Sequence, residues 1–210
     1  MANQAKLRFV TFLTFVRFPL ILLFFIGAII YTGDHSPWLF ALSFTFLVVS
    51  AVTDLLDGYF ARKFNVVTEF GSHADPLMDK FFYLASFPLL VFVATRNGHI
   101  RHAIILLVIT LLNLTRDQWV TFLRSIGAMY QASGKAKWAG KLRTAVNFPL
   151  ICCIYWHEAS PFYPISRPFI LAFEAVAMAI NLISVYTYTR DYWPYLRRSI
   201  GVSGETSDNQ

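Results

Sequence analysis

The sequence predicts an all-α fold: a polytopic membrane protein of six transmembrane helices, with both termini in the cytosol. Composition is the first reason. Of 210 residues, 56% are apolar, 17% aromatic and only 14% charged, against about 25% charged in a soluble domain. Mean hydropathy is +0.51. The second reason is a set of six long stretches almost without charge. The third is the placement of lysine and arginine between them, which favours one side of the bilayer. Together these exclude a soluble enzyme and a disordered chain. The net charge of +6 does not signal nucleic acid, because the basic residues sit at the edges of apolar runs. The lipid bilayer is the partner they imply.

The stretches run in order Phe18–Gly33, His35–Thr53, Phe81–Thr95, His102–Thr115, Thr144–His157 and Pro168–Thr189, the last interrupted only by Glu174. The first has no small-residue cleavage site and more apolar segments follow it, so it reads as a spanning helix and not as a secretory signal. A span needs about 20 residues. Several stretches fall short of that, so their helices must continue into polar flanks. With the N-terminus inside, Lys6, Arg8, Arg17, Arg62, Lys63, Arg124, Lys135, Lys137, Lys141, Arg143, Arg190, Arg197 and Arg198 collect on the cytosolic side. Only Arg96, Arg101 and Arg167 face outward. The outer loops are Asp34–Pro37, Arg96–Arg101 and Glu158–Arg167. A short loop around Asn65–His73 joins the second and third helices. Residues 1–200 read as one domain and 201–210 as a polar, disordered tail. Cys152 and Cys153 are adjacent in an apolar run and read as core or lipid-facing fillers. Trp38, Tyr155, Trp156, Tyr192 and Trp193 fall near the expected interfaces, where amphipathic rings sit.

Four of the twelve acidic residues, Asp54, Asp57, Asp75 and Asp79, lie at the cytosolic ends of the second and third helices. Spacings of three and four residues place each pair on one helical face. Antiparallel neighbours then bring all four carboxylates to one depth. Unpaired near a helix centre, they would cost roughly 10–14 kcal/mol at most, comparable to a typical total stability of about 5–15 kcal/mol. Arg62 and Lys63 are too few to neutralise them, whereas divalent cations suffice. An all-oxygen donor set selects magnesium or manganese, with calcium possible, and disfavours zinc. His73 reads as a loop histidine and not as a ligand. Gly58 and Ala61 remove bulk beside the carboxylates, and Gly71 does so near Asp75. This fits either close approach of a ligand or close helix packing.

The pattern Asp54-Leu-Leu-Asp57-Gly58-Tyr-Phe-Ala61-Arg62, then Gly71, Asp75 and Asp79, resembles the signature of the CDP-alcohol phosphotransferases, with every fixed position filled. The resemblance implies a six-helix homodimeric membrane enzyme with a dinuclear Mg2+ or Mn2+ site. Such an enzyme moves a substituted phosphate from a CDP-linked donor to an alcohol and releases CMP. By the same resemblance Asp54, Asp57, Asp75 and Asp79 hold metal, and Asp79 is also the general base. Asp54, Gly58, Ala61, Arg62, Gly71 and Asp75 contact the cytidine diphosphate. The location implied is the inner membrane of a bacterium, with the active site facing the cytosol.

A second, basic constellation comprises Arg116 and Arg124, eight residues apart on one helix face, and Lys141 and Arg143 opening the fifth helix. Positive-inside bias accounts for Lys135 and Lys137. It accounts less well for Arg116, which lies deeper, and Asp117 beside it is a candidate salt-bridge partner. Four cations beside a metal site suit a phosphate on the acceptor alcohol. Here Leu13-Thr14-Phe15-Val16-Arg17, Asp75-Pro76-Leu77-Met78-Asp79-Lys80, Arg116-Asp117, Phe122-Leu123-Arg124 and Gly140-Lys141-Leu142-Arg143-Thr144 resemble the phosphatidylglycerophosphate synthase subfamily. That implies CDP-diacylglycerol as donor and glycerol 3-phosphate as acceptor, its phosphate on Arg116, Arg124, Lys141 and Arg143. Asp117, Arg143 and Asn147 depart from the subfamily's usual Glu, Lys and Gln. Inositol phosphate, or phosphatidylglycerol as in cardiolipin synthases, therefore stays open as the acceptor. A cation transporter or a non-catalytic membrane protein is the rival from another class. A transporter more often places its carboxylates at a repeat interface, and no internal repeat is visible.

Overall fold

A computed structural model describes residues 2–64, 69–132 and 138–201. Among them are six helices and no strand: α1 (Ala2–Asp34), α2 (Pro37–Phe64), α3 (Glu69–Arg96), α4 (Ile100–Met129), α5 (Trp138–Ala159) and α6 (Arg167–Ser199). Lys135, Lys137 and residues 202–210 of the expected tail lie outside the described residues. So do the side chains of Asp57, Gly58, Ala61, Arg62, Gly71, His73, Asp75 and Lys141.

Each helix outruns its uncharged stretch. The apolar run marks only the middle of a helix; charged flanks do not stop one, because backbone groups near a bilayer are best satisfied inside it. One expectation is corrected. The connection after α2 is shorter than Asn65–His73, since α3 already begins at Glu69. α6 runs unbroken through Pro194 to Ser199. The remaining breaks follow from backbone chemistry. His35 (φ 53°) and Pro37 separate α1 from α2, and Gly98 (φ 78°) turns the chain between α3 and α4. That angle suits glycine because it carries no Cβ.

Five helices contain segments long and apolar enough to cross a membrane: Arg8–Asp34, Pro37–Asp54, Leu77–Arg96, Ile100–Met129 and Arg167–Ser199. α5 is not among them. α3 sits centrally, packed against α1, α4 and α5, while α1 pairs most closely with α2 and α6 lies on α4 and α5. The main core gathers Phe24, Phe40, Leu47, Tyr83, Phe87, Leu90, Leu106, Ile109, Ile151 and Tyr155. Large apolar side chains such as Leu84, Leu107, Leu111 and Leu182 point outward and are more than half exposed. Ser43, Asn113, Asn181 and Ser184, in contrast, are fully or almost fully buried. Greasy outside and polar within is the arrangement a lipid solvent selects. The chain is an integral membrane protein.

Two of the aromatic residues expected near the interface are buried within the bundle. Tyr155 is buried, with its hydroxyl 2.7 Å from Ser43 Oγ. Tyr192 is buried with Val120, Leu123 and Tyr188 in a second cluster where α4 meets α6. An internal hydroxyl partner, or a facing helix, satisfies these rings as well as an interface does.

Close approach of α4 and α6 depends on Gly127. A Cβ there would fall on Cε1 of Tyr192 and 2.8 Å from its Cδ1. Gly127→Ala is expected to destabilise the protein by about 1–3 kcal/mol through overpacking, measurable by thermal unfolding of the detergent-solubilised protein. An unchanged midpoint would show that the ring moves aside freely.

Candidate active site

Three helices meet at the aspartate motif. Asp54 stands late in α2, Asp79 three turns into α3, and Arg17 midway along α1. Arg17 is buried, and its Nη1 donates to Asp54 Oδ1 in a close ion pair and to Asp79 Oδ1 at 3.4 Å. Asp54 of α2 and Asp79 of α3 thus meet at one guanidinium. Asp54 and Asp79 retain 16% and 33% side-chain exposure, so water and ions reach both. Clustered, partly solvated carboxylate oxygens suit hard divalent cations. α2 and α3 also carry Asp57 and Asp75, so the motif offers four carboxylates and no nitrogen or sulfur ligand of its own. The donor set therefore fits the expected metal.

Next to this motif lies the basic constellation. Tyr83 follows Asp79 by one helical turn, and the Arg143 guanidinium sits 4.6 Å from its ring centroid. Lys80 Nζ donates to Thr121 Oγ1 on α4 at 2.7 Å. Arg116 and Arg143 are almost fully buried and share Asp117: Arg116 Nη1 donates to Oδ1 at 3.0 Å, and Arg143 Nη2 to Oδ2 at 2.8 Å. Asp117 is therefore a partner of Arg116, and of Arg143 as well. Arg116 also donates to Ser184 Oγ through Nε (3.1 Å) and Nη2 (2.6 Å). Arg143 Nε donates to Asn181 Oδ1 at 3.1 Å. Asn113 Oδ1 accepts from Arg143 Nη2 and from Asn147 Nδ2.

Arg124 differs from the other two. Its Nη2 donates to Tyr188 OH at 3.1 Å, while its Nε is buried with no hydrogen-bond partner among the described residues. The Tyr188 ring lies between Arg116 and Arg124, 5.3 and 5.4 Å from their guanidinium carbons. Gly140 admits the start of α5 to this cluster: a Cβ there would stand 3.1 Å from Tyr188 OH and 3.7 Å from Arg116 Nη2.

The structure thus brings together Asp54 with Asp79, and Arg116 with Arg124 and Arg143. Nothing in the sequence marks Arg17 as a partner of the aspartates; there it reads as a cytosolic-side charge and as part of the Leu13–Arg17 resemblance. Residue reasoning also missed Tyr188, Ser184, Asn181 and Asn113. Isolated polar residues at helical spacing on α4 and α6 were the available signal.

The profile of the CDP-alcohol phosphatidyltransferase family matches residues 9–187. The chain belongs to this family. This CDP-alcohol phosphatidyltransferase is a membrane-embedded transferase of phospholipid biosynthesis. It is 30% identical over 168 residues to the CDP-diacylglycerol–glycerol-3-phosphate 3-phosphatidyltransferase of Bacillus subtilis, covering 80% of this chain and 82% of that one. It is 29% identical over 206 residues to a probable phosphatidylglycerophosphate synthase of Mycobacterium tuberculosis, covering 98% and 87%. A shorter match, 41% over 56 residues, is to a CMP-forming cardiolipin synthase of rice, covering 27% and 17%. Membership of the family removes the transporter and the non-catalytic protein as readings.

Proposed function

We propose that this transferase moves the phosphatidyl group of CDP-diacylglycerol to glycerol 3-phosphate and releases CMP. The observation that carries the acceptor assignment is the convergence of Arg116, Arg124 and Arg143 around Asp117 and Tyr188, with Arg143 against Tyr83, one helical turn from Asp79. A group of cations, two of them buried, near the carboxylate motif suits an acceptor that carries its own phosphate. Names of relatives at about 30% identity point the same way.

In this reading the acceptor hydroxyl attacks the lipid-side phosphorus of the donor. A new phosphorus–oxygen bond forms, the pyrophosphate bond to CMP breaks, and the hydroxyl proton passes to Asp79. Asp54, Asp57, Asp75 and Asp79 hold two Mg2+ or Mn2+ ions, which supply positive charge at the pyrophosphate. Asp54, Gly58, Ala61, Arg62, Gly71 and Asp75 line the cytidine diphosphate. Arg124, with a spare donor, and Lys141 take the acceptor phosphate directly. Arg116 and Arg143, held by Asp117, Ser184 and Asn181, set the positive potential and add contacts as the phosphate arrives. Placing these charges beforehand limits reorganisation during reaction. Residues 1–200 form one domain with six spans, α5 included, and both termini cytosolic. The site opens to the cytosol of a bacterium from its inner membrane, and the working form is a homodimer.

CMP release by the purified protein tests the reading, with CDP-diacylglycerol and Mg2+ or Mn2+ present, and glycerol 3-phosphate added or withheld. Release that needs both metal and glycerol 3-phosphate is expected. Release only with inositol phosphate or phosphatidylglycerol would keep the chemistry and overturn the acceptor assignment.

A further inference from the structure

The end of the bundle opposite the aspartate motif holds a second group of titratable side chains, which the reaction above does not use. His102, at the start of α4, Glu158, at the end of α5, and Glu174, in α6, are each less than a tenth exposed. His157 stands beside Glu158, its ring centroid 5.9 Å from that of His102. One ligand atom from each of His102, His157 and Glu158 lies within 4.8 Å of the others.

The hydrogen bonds around this group orient it. His157 Nδ1 donates to the Ile165 carbonyl at 2.6 Å, which leaves Nε2 as a lone-pair donor in the neutral ring. His102 Nδ1 faces Glu158 Oε1 in a close contact, and its Nε2 lies 2.7 Å from Glu174 Oε1. His99 Nδ1 holds the second oxygen of Glu158 at 2.7 Å, and Asn97 Nδ2 donates to the Glu158 carbonyl. Thus each candidate ligand has its far side fixed by a carboxylate, a carbonyl or an imidazole. Metal-binding histidines are held in this way, with the other ring nitrogen engaged by a carboxylate or backbone carbonyl. Charge gives an independent reason. Glu158 and Glu174 are two buried carboxylates, and Glu174 Oε2 is buried without a hydrogen-bond partner among the described residues. His102 and His99 can each carry a proton against these charges; a divalent ion bound at His102 Nδ1 replaces the His102 proton and alone compensates both carboxylates. A pocket of about 320 Å3, lined by Gly98, His99, Ile100, Arg101 and Arg167, reaches His99 from the surface.

We infer that His102, His157 and Glu158 form a binding site for a zinc-class divalent ion, clasping α4 to α5. The ion enters between His102 Nδ1 and Glu158, with Glu174 and the Ile165 carbonyl as outer supports. Two imidazoles and one carboxylate favour zinc, cobalt or nickel over magnesium, so this site differs in preference from the all-oxygen motif at the other end. It does not rest on the acceptor assignment.

Cobalt tests the inference, as a coloured substitute for zinc. Tag-free, metal-stripped full-length protein in detergent is titrated with Co2+ under excess Mg2+, which occupies the oxygen site. One equivalent of Co2+ giving a visible ligand-field band is expected. Glu174→Gln should weaken that binding by roughly 10–100-fold, the usual effect of losing an outer support. His157→Ala should abolish the band, and Asp79→Asn should leave it unchanged. No band at stoichiometric Co2+, or a band that survives His157→Ala, would overturn the site. If His157→Ala does not fold, zinc-edge X-ray absorption of the wild-type protein decides. Imidazole scattering is expected, and a shell of oxygens alone rejects the site.

Discussion

Asp79→Asn is expected to lower CMP release by roughly 10²–10⁴-fold, the range that a positioned general base contributes. The substitution keeps the side chain's size and one carbonyl oxygen. It removes the only proton acceptor that Asp79 offers, and one of the negative charges that a cation would meet. Asp79 is the better exposed of the motif's two described aspartates, at 33% against 16% for Asp54, as the proposed general base requires. The two roles separate experimentally. If Asp79 acted only by holding metal, added Mn2+ would restore the rate; the expected result is that it does not. A variant that turns over at the wild-type rate would remove Asp79 from the chemistry.

The largest stability effect is expected from Asp117→Ala. Removing one partner of a buried ion pair typically costs about 3–5 kcal/mol, because the charge left behind stays out of water. Here a single carboxylate holds two guanidiniums, those of Arg116 and Arg143. Arg116 keeps a neutral partner in Ser184 and Arg143 keeps Asn181 and Asn113, and among the described residues no other carboxylate pairs with either. Asp117→Asn keeps an acceptor and should fall between alanine and wild type. Equilibrium unfolding in mixed detergent micelles measures the difference. Equal stability of the alanine and wild-type proteins would mean that the two arginines are solvated in the membrane, contrary to their burial.

Much of the helical layout can be read from hydropathy, because a bilayer imposes one periodic requirement on every span. The ends cannot be read that way: α5 carries Lys141 and Arg143 inside its first two turns, so its uncharged run starts six residues after the helix does. The convergence of Asp54 with Asp79 was legible because the two lie on consecutive antiparallel helices. The grouping of Arg116, Arg124 and Arg143 was legible from their helical spacing and their excess over what loop charge explains. Arg17 was not, since a lone basic residue in the first helix looks like positive-inside bias. Nor were Ser184 and Tyr188, 68 and 64 residues from the arginines they touch. Single hydroxyls in an apolar helix carry no spacing rule that names a distant partner. Glu158 and Glu174 read as loop and interruption, because only the packed bundle sets them against His102.

The reach of α6 into the basic cluster orders events during synthesis. The carboxylate motif is complete once the third helix has left the ribosome. Asn181, Ser184 and Tyr188 emerge about a hundred residues later, on the last helix. A nascent chain at five helices therefore has its aspartate motif in place while the arginines of α4 and α5 still lack their partners on α6. On the proposed acceptor assignment the phosphate pocket closes only with the final segment, so a chain stalled or cleaved before it is expected to release no CMP.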